Sequence, residues 1–118
     1  WNGMLGTTFG GNYLACAAAQ TVLSVIQEEG LMENAERRGE YLLNELKQIP
    51  SIKEIRGRGL MIGFDLPEGK KEARNNLLFK HNIFTGEAKP NTIRLLPSLA
   101  VTKEEIDIFL IALTKELQ

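Results

Sequence analysis

Arg56-Gly57-Arg58-Gly59-Leu60-Met61-Ile62-Gly63-Phe64-Asp65-Leu66 is the stretch in which the periodicity of the chain changes. Within it Leu60, Ile62, Phe64 and Leu66 alternate with Met61, Gly63 and Asp65. Side chains of an extended strand point alternately to opposite faces, so this pattern predicts a half-buried β-strand. The Arg-Gly-Arg-Gly sequence ahead of it predicts a turn, its glycines taking positive φ and its arginines facing water or acids. Ile52 and Ile55 predict a short strand before that turn, and Pro67-Glu68-Gly69 a second turn after the strand.

Upstream, the spacing is helical. Tyr13 to Glu29 is Ala-rich and free of Gly and Pro, with Leu14, Ala18, Val22, Val25 and Ile26 on one face. Asn12 is placed to cap its start and Gly30 to close its end. Leu31, Ala35, Leu42, Leu46 and Ile49 mark a second helix that Pro50 stops. Gly39 lies inside that stripe at a cost of about 1 kcal/mol relative to Ala, which predicts close packing against a neighbour.

Downstream, Lys70 to Asn82 predicts a third, amphipathic helix with Ala73, Leu77 and Leu78 on one side. Ile83 and Phe84 begin a short extended segment, Gly86 to Asn91 reads as a loop with Pro90 as breaker, and Ile93 to Leu95 as a strand ending at Pro97. Thr102-Lys103-Glu104-Glu105 fits a capping box, followed by Ile106, Phe109, Leu110, Leu113 and Leu117 on one helical face. The expected fold is α+β, a two-layer arrangement with helices packed on one face of a small, mostly antiparallel sheet.

Composition sets the outer limits. The chain has 118 residues, 14 Lys plus Arg against 15 Asp plus Glu, and one cysteine. Its net charge of −1 lacks the basic footprint of nucleic-acid binding. No apolar run reaches the roughly 20 residues that span a bilayer, and no signal segment opens the sequence. A lone cysteine excludes an internal disulfide and a multi-cysteine metal site. These features suit a cytoplasmic domain without nucleic-acid, membrane or metal partners. The start at Trp1, rather than Met, suits a piece of a longer protein.

Two places offer binding chemistry. Gly6-Thr7-Thr8-Phe9-Gly10-Gly11-Asn12 puts small residues and hydroxyls just ahead of a helix N-terminus, where a phosphate or carboxylate meets free amides and the positive end of the helix dipole. Its spacing matches neither the P-loop nor the dinucleotide fingerprint, and the same sequence also serves as a plain turn and cap. Arg94 sits between Ile93 and Leu95 and so projects to the face opposite theirs. Its guanidinium suits two-pronged recognition of a carboxylate, and it equally suits a solvent-facing strand position. His81 lies near a helix end with no triad partners, Cys16 reads as a small buried apolar group, and Glu28-Glu29 and Glu104-Glu105 diverge on their helices. No catalytic centre is complete.

These segments resemble a family. Leu5 to Asn12 with Leu14-Ala15-Cys16-Ala17-Ala18 is similar to the segment opening the long helix of class III, ornithine-type, pyridoxal-phosphate aminotransferases. Glu28 to Ala35, Arg37 to Leu42, Arg56 to Gly63 and Ile93-Arg94-Leu95-Leu96-Pro97 follow in order, and the acetylornithine/succinylornithine group is the nearest in motif. Tyr13 stands where a Pro is common.

The resemblance implies that Thr8 donates to the phosphate of pyridoxal phosphate held by the other subunit of a homodimer. It likewise implies that Arg94 grips the substrate carboxylate. It assigns residues 1–29 to a cofactor-proximal loop and inter-domain helix, and 30–118 to the C-terminal small domain. The implied reaction moves an amino group from N-acetyl- or N-succinyl-ornithine to 2-oxoglutarate in arginine biosynthesis. The Schiff-base lysine would lie ahead of Trp1, leaving this chain inactive alone. A non-enzymatic phosphate- or anion-binding module, or a dimerisation module, remains the alternative.

Overall fold

The computed structural model describes residues 6–89 and 91–118. The expectations placed on Trp1 to Leu5 and on Pro90 lie outside the described residues. The chain divides into two units, 1–31 and 32–118.

The first unit is built around α1 (Tyr13–Glu28). Asn12 caps it, the side-chain oxygen accepting from the Ala15 amide, and Gly30 takes φ +59° just past its end. None of its residues is buried, so the expectation for Cys16 is corrected: its thiol is exposed. An amphipathic pattern shows which face is fit for burial; among the described residues of this unit no second element covers that face.

The second unit holds α2 (Leu31–Lys47) from its second residue on, β1 (Lys53–Arg58), β2 (Met61–Asp65), α3 (Ala73–His81), β3 (Gly86–Lys89), β4 (Thr92–Leu95) and α4 (Lys103–Leu117). The strands form one sheet in the order β1-β2-β4-β3, every neighbour antiparallel. Ile62, Phe64, Ile93 and Leu95 point to one face and pack with Leu42 and Leu46 of α2, Leu77 of α3, and Ile106, Phe109 and Leu113 of α4. The α+β expectation holds, with helices on one side of an antiparallel sheet.

Element boundaries differ in places from those expected. Arg56-Gly57-Arg58 belongs to β1, and the connection shrinks to Gly59 and Leu60. Gly59 takes φ +53°, which closes this tight hairpin without a Cβ penalty. A bulge follows Lys53, where Glu54 adopts φ +49°. Helix α3 starts at Ala73 rather than Lys70, since Lys70 to Glu72 forms a turn in which the Ala73 amide donates to the Lys70 carbonyl at 3.0 Å.

Gly86 to Lys89, read as loop, is the edge strand β3. It has no alternation of its own; β4 supplies the donors and acceptors that hold it, with an irregularity between Glu87 and Lys89. The capping box of α4 forms as expected, Glu105 N donating to Thr102 Oγ1 at 3.2 Å and Thr102 N to Glu105 Oε2 at 2.8 Å.

Candidate functional site

In the first unit the loop ahead of α1 is held by its own backbone. The Gly10 amide donates to the Thr7 carbonyl at 3.4 Å, and the Asn12 amide and side chain both donate to Phe9 O. Thr8 lies in this turn, exposed to solvent. Asn12 takes the Ala15 amide, while those of Tyr13 and Leu14 open the helix without an intrahelical acceptor. Exposed hydroxyls beside helix-terminal amides are neutral donors suited to a phosphate oxygen. The donor chemistry of these residues therefore fits a phosphate group.

In the second unit the candidate residue is Arg94. Its neighbours Thr92, Ile93 and Leu95 are buried, and Arg94 alone of β4 is exposed, on the face away from the helices. Pairing sets a row across that face. Arg56 of β1 lies opposite Gly63 of β2, Gly63 opposite Arg94, and Arg94 opposite Gly86 of β3. Directly paired residues share a face of a sheet, so two arginines and two glycines alternate along one line.

Arg56 is held in place. Its guanidinium donates to Glu54 O and makes an ion pair with Asp65 Oδ1 at 3.3 Å. Thr92 Oγ1 donates to the same Asp65 oxygen at 2.6 Å. The Thr92 hydroxyl, and after it Arg56, hold the Asp65 carboxyl below its ordinary value against the opposing effect of burial. Arg94 makes no comparable ion pair among the described residues, which leaves its guanidinium available to a carboxylate.

Beside this row is a cavity of about 330 Å³, mostly apolar, lined by Leu42, Ile83, Leu95 and Phe109 together with Arg94 and Thr85. Thr85 is buried and its hydroxyl has no hydrogen-bond partner.

The structure thus keeps Thr8 in one unit and Arg94 in the other, and each is placed only within its own. The Asp65–Thr92–Arg56 network has no sequence signal beyond alternation, which puts Asp65 and Arg94 opposite the apolar faces of their strands; Thr92 joins them because β4 begins one residue ahead of Ile93. His81 lies in the last turn of α3, near the helix end where the sequence puts it, and its Nε2 is 2.9 Å from Glu116 Oε1 of α4, a structural contact between helices. Among the described residues no group of three His, Cys, Asp or Glu is placed to hold a metal, and no helix is long and apolar enough to cross a membrane.

The class-III aminotransferase family pattern matches residues 1–117. The chain belongs to the class-III aminotransferase family.

It is 41% identical over 108 residues to an ornithine aminotransferase of Bordetella pertussis, covering 89% of this chain and 26% of that protein. It is 42% identical over 102 residues to an acetylornithine aminotransferase of Archaeoglobus fulgidus, covering 86% of this chain and 26% of that protein. Among solved structures it matches the ornithine aminotransferase of Toxoplasma gondii, which has pyridoxal phosphate at partial occupancy in its active site. That match has 34% identity and a TM-score of 0.78, over 99% of this chain and 29% of the other. The chain spans about a quarter of the length of the curated relatives it matches.

Proposed function

We propose that this chain is the C-terminal part of a pyridoxal-phosphate-dependent aminotransferase that moves an amino group from N-acetyl- or N-succinyl-ornithine to 2-oxoglutarate, in cytoplasmic arginine biosynthesis. Residues 1–29 serve as cofactor-proximal loop and inter-domain helix, and 30–118 as the C-terminal small domain of a homodimer without nucleic-acid or membrane partners. The observation that carries this reading is Arg94, the one exposed residue of an otherwise buried strand, in a chain of this family.

Bound pyridoxal phosphate supplies the electron sink for the transfer. Thr8 donates its hydroxyl to a phosphate oxygen across the dimer interface. Arg94 orients the carboxylate of each amino or oxo acid in turn through two parallel N–H···O bonds. A second donor, free ornithine, is favoured by the ornithine aminotransferase relative, as similar to this chain as the acetylornithine one.

The test is a chimaera in which this chain replaces the matching quarter of the Archaeoglobus fulgidus enzyme. It should transaminate N-acetylornithine with 2-oxoglutarate, and comparing acetyl-, succinyl- and free ornithine ranks the donors. Arg94→Ala should raise KM for 2-oxoglutarate about 100-fold, the loss of about 3 kcal/mol of charge-assisted hydrogen bonding. An unchanged KM in a folded, active chimaera removes Arg94 from the site. Tight binding of a simple phosphate ester by the 118-residue chain alone would instead indicate a stand-alone anion-binding module.

A further inference from the structure

Arg94 must lie somewhere definite if it is to present two parallel donors, because a guanidinium on a free three-carbon stem loses rotamer entropy when it is fixed. An exposed strand arginine has two lateral directions open to it, over either neighbouring strand. On both sides the residue paired with Arg94 is a glycine, Gly63 on β2 and Gly86 on β3.

The Gly63 side is already taken. A methyl group on Gly63 would stand 4.0 Å from Arg56 Nε, so the Arg56 side chain lies over that bare position. Asp65, itself gripped by Thr92, holds it there. A second guanidinium leaning the same way would meet a like charge. The Gly86 side holds Arg94 itself: a methyl on Gly86 would stand 3.4 Å from Arg94 Nε and 3.6 Å from its Nη2. The same methyl would come within 3.1 Å of the Arg94 carbonyl oxygen, tight enough to press on the β3–β4 pairing as well.

We propose that Gly86 is a positioning residue for Arg94: its missing side chain leaves the seat on β3 across which the guanidinium lies, while Arg56 fills the equivalent seat at Gly63. This explains a glycine at the first position of β3, paired with β4, at a residue whose φ does not demand one. The proposal rests on the reading of Arg94 as the carboxylate-binding residue, and it goes beyond that reading by naming what aims the side chain. A residue with a branched Cβ at 86 displaces the guanidinium from the seat and returns it to free rotation.

The test uses the 118-residue chain and the Nε–H resonance of Arg94 by ¹⁵N NMR. In the wild-type chain a nuclear Overhauser contact links Gly86 Hα to Arg94 Hε, and titration with 2-oxoglutarate moves the Arg94 resonance. Gly86→Ala weakens the apparent Kd about 3-fold. Gly86→Val weakens it more than 10-fold, with Arg94 Nε–H shifted to the position of a mobile arginine. The methyl resonances of Leu77, Ile93 and Leu113 report whether the core is intact, and Ala88→Val on the same strand leaves both Arg94 readouts as in wild type. The proposal is overturned by absence of the Gly86–Arg94 contact, or by a folded Gly86→Val chain in which Arg94 resonates and titrates as in wild type. If the contact is present and Gly86→Val abolishes it while Arg94→Ala leaves KM for 2-oxoglutarate unchanged in the folded chimaera, the seat stands and the carboxylate role fails.

Discussion

A methyl group on Gly39 would stand 2.1 Å from the Gly59 carbonyl oxygen and 2.5 Å from its carbon, inside α2 where it meets the β1–β2 turn. The obstacle is backbone, which cannot swing aside as the end of a side chain can. Two effects oppose each other in Gly39→Ala. Helix propensity favours Ala by about 1 kcal/mol, while forcing a buried group against fixed neighbours costs about 3 kcal/mol at the upper end of overpacking. The expected outcome is a net loss of about 2 kcal/mol, read as a lower urea midpoint at unchanged m. At this scale much was legible. A glycine inside an apolar stripe signals close approach, and alternation placed Arg94 opposite Ile93 and Leu95. What sequence did not show was the partner in each case. Gly59 meets Gly39 only through packing of α2 on the turn, and Gly86 meets Arg94 only through strand pairing, and no local pattern in a single segment encodes either.

Elements are joined here by polar clusters as well as by the core. Tyr41 of α2 donates to Asp107 Oδ1 of α4 at 2.5 Å, and Lys103 reaches Asp107 Oδ2 at 2.6 Å with its ammonium 4.7 Å from the Tyr41 ring. Between α3 and α4, Glu116 receives His81 Nε2 at 2.9 Å and Asn76 Nδ2 at 2.6 Å, with Lys80 at 3.8 Å. The His81 contact, then Asn76 and Lys80, hold the Glu116 carboxyl below its ordinary value of 4.5, with desolvation opposing them. A carboxyl whose folded-state pKa is depressed binds protons more weakly in the folded chain than in the unfolded one. Its stabilising effect is therefore full above pH 4.5 and fades as the pH falls through the lower folded value. Wild type should exceed Glu116→Gln in urea stability at pH 6, and the gap should close progressively below pH 4.5. A gap that stays constant across that range would remove the pair from the α3–α4 contact. The helices of these clusters were legible from their caps and stripes. Strand β3 was not, because Gly86-Glu87-Ala88-Lys89 carries neither alternation nor a β-branched residue and is a strand only through its neighbour β4.

At the scale of the whole chain, burial is distributed unevenly. Every residue of the hydrophobic core, from Leu42 to Leu117, belongs to the second unit, and α1 buries none of its own. Helices of fewer than about 12–15 residues are marginal in water, and even a longer one depends on an apolar face being covered. The 16 residues of α1 have good propensity and a capped start but no buried side chain, so their helicity should be lost on heating well before the rest unfolds. The second unit has a sheet face fully roofed by α2, α3 and α4, with Phe64, Leu46, Leu77 and Leu113 completely enclosed. A chain of residues 30–118 should therefore keep the cooperative transition of the intact protein, with its midpoint within a few degrees, while a peptide of residues 1–29 shows partial, non-cooperative helicity by circular dichroism. Phe64→Ala in the shorter chain should then cost about 3–5 kcal/mol, as removal of a fully buried aromatic does. If residues 30–118 melt without cooperativity, the core of the second unit depends on the first, and the division at residue 31 does not mark a folding boundary.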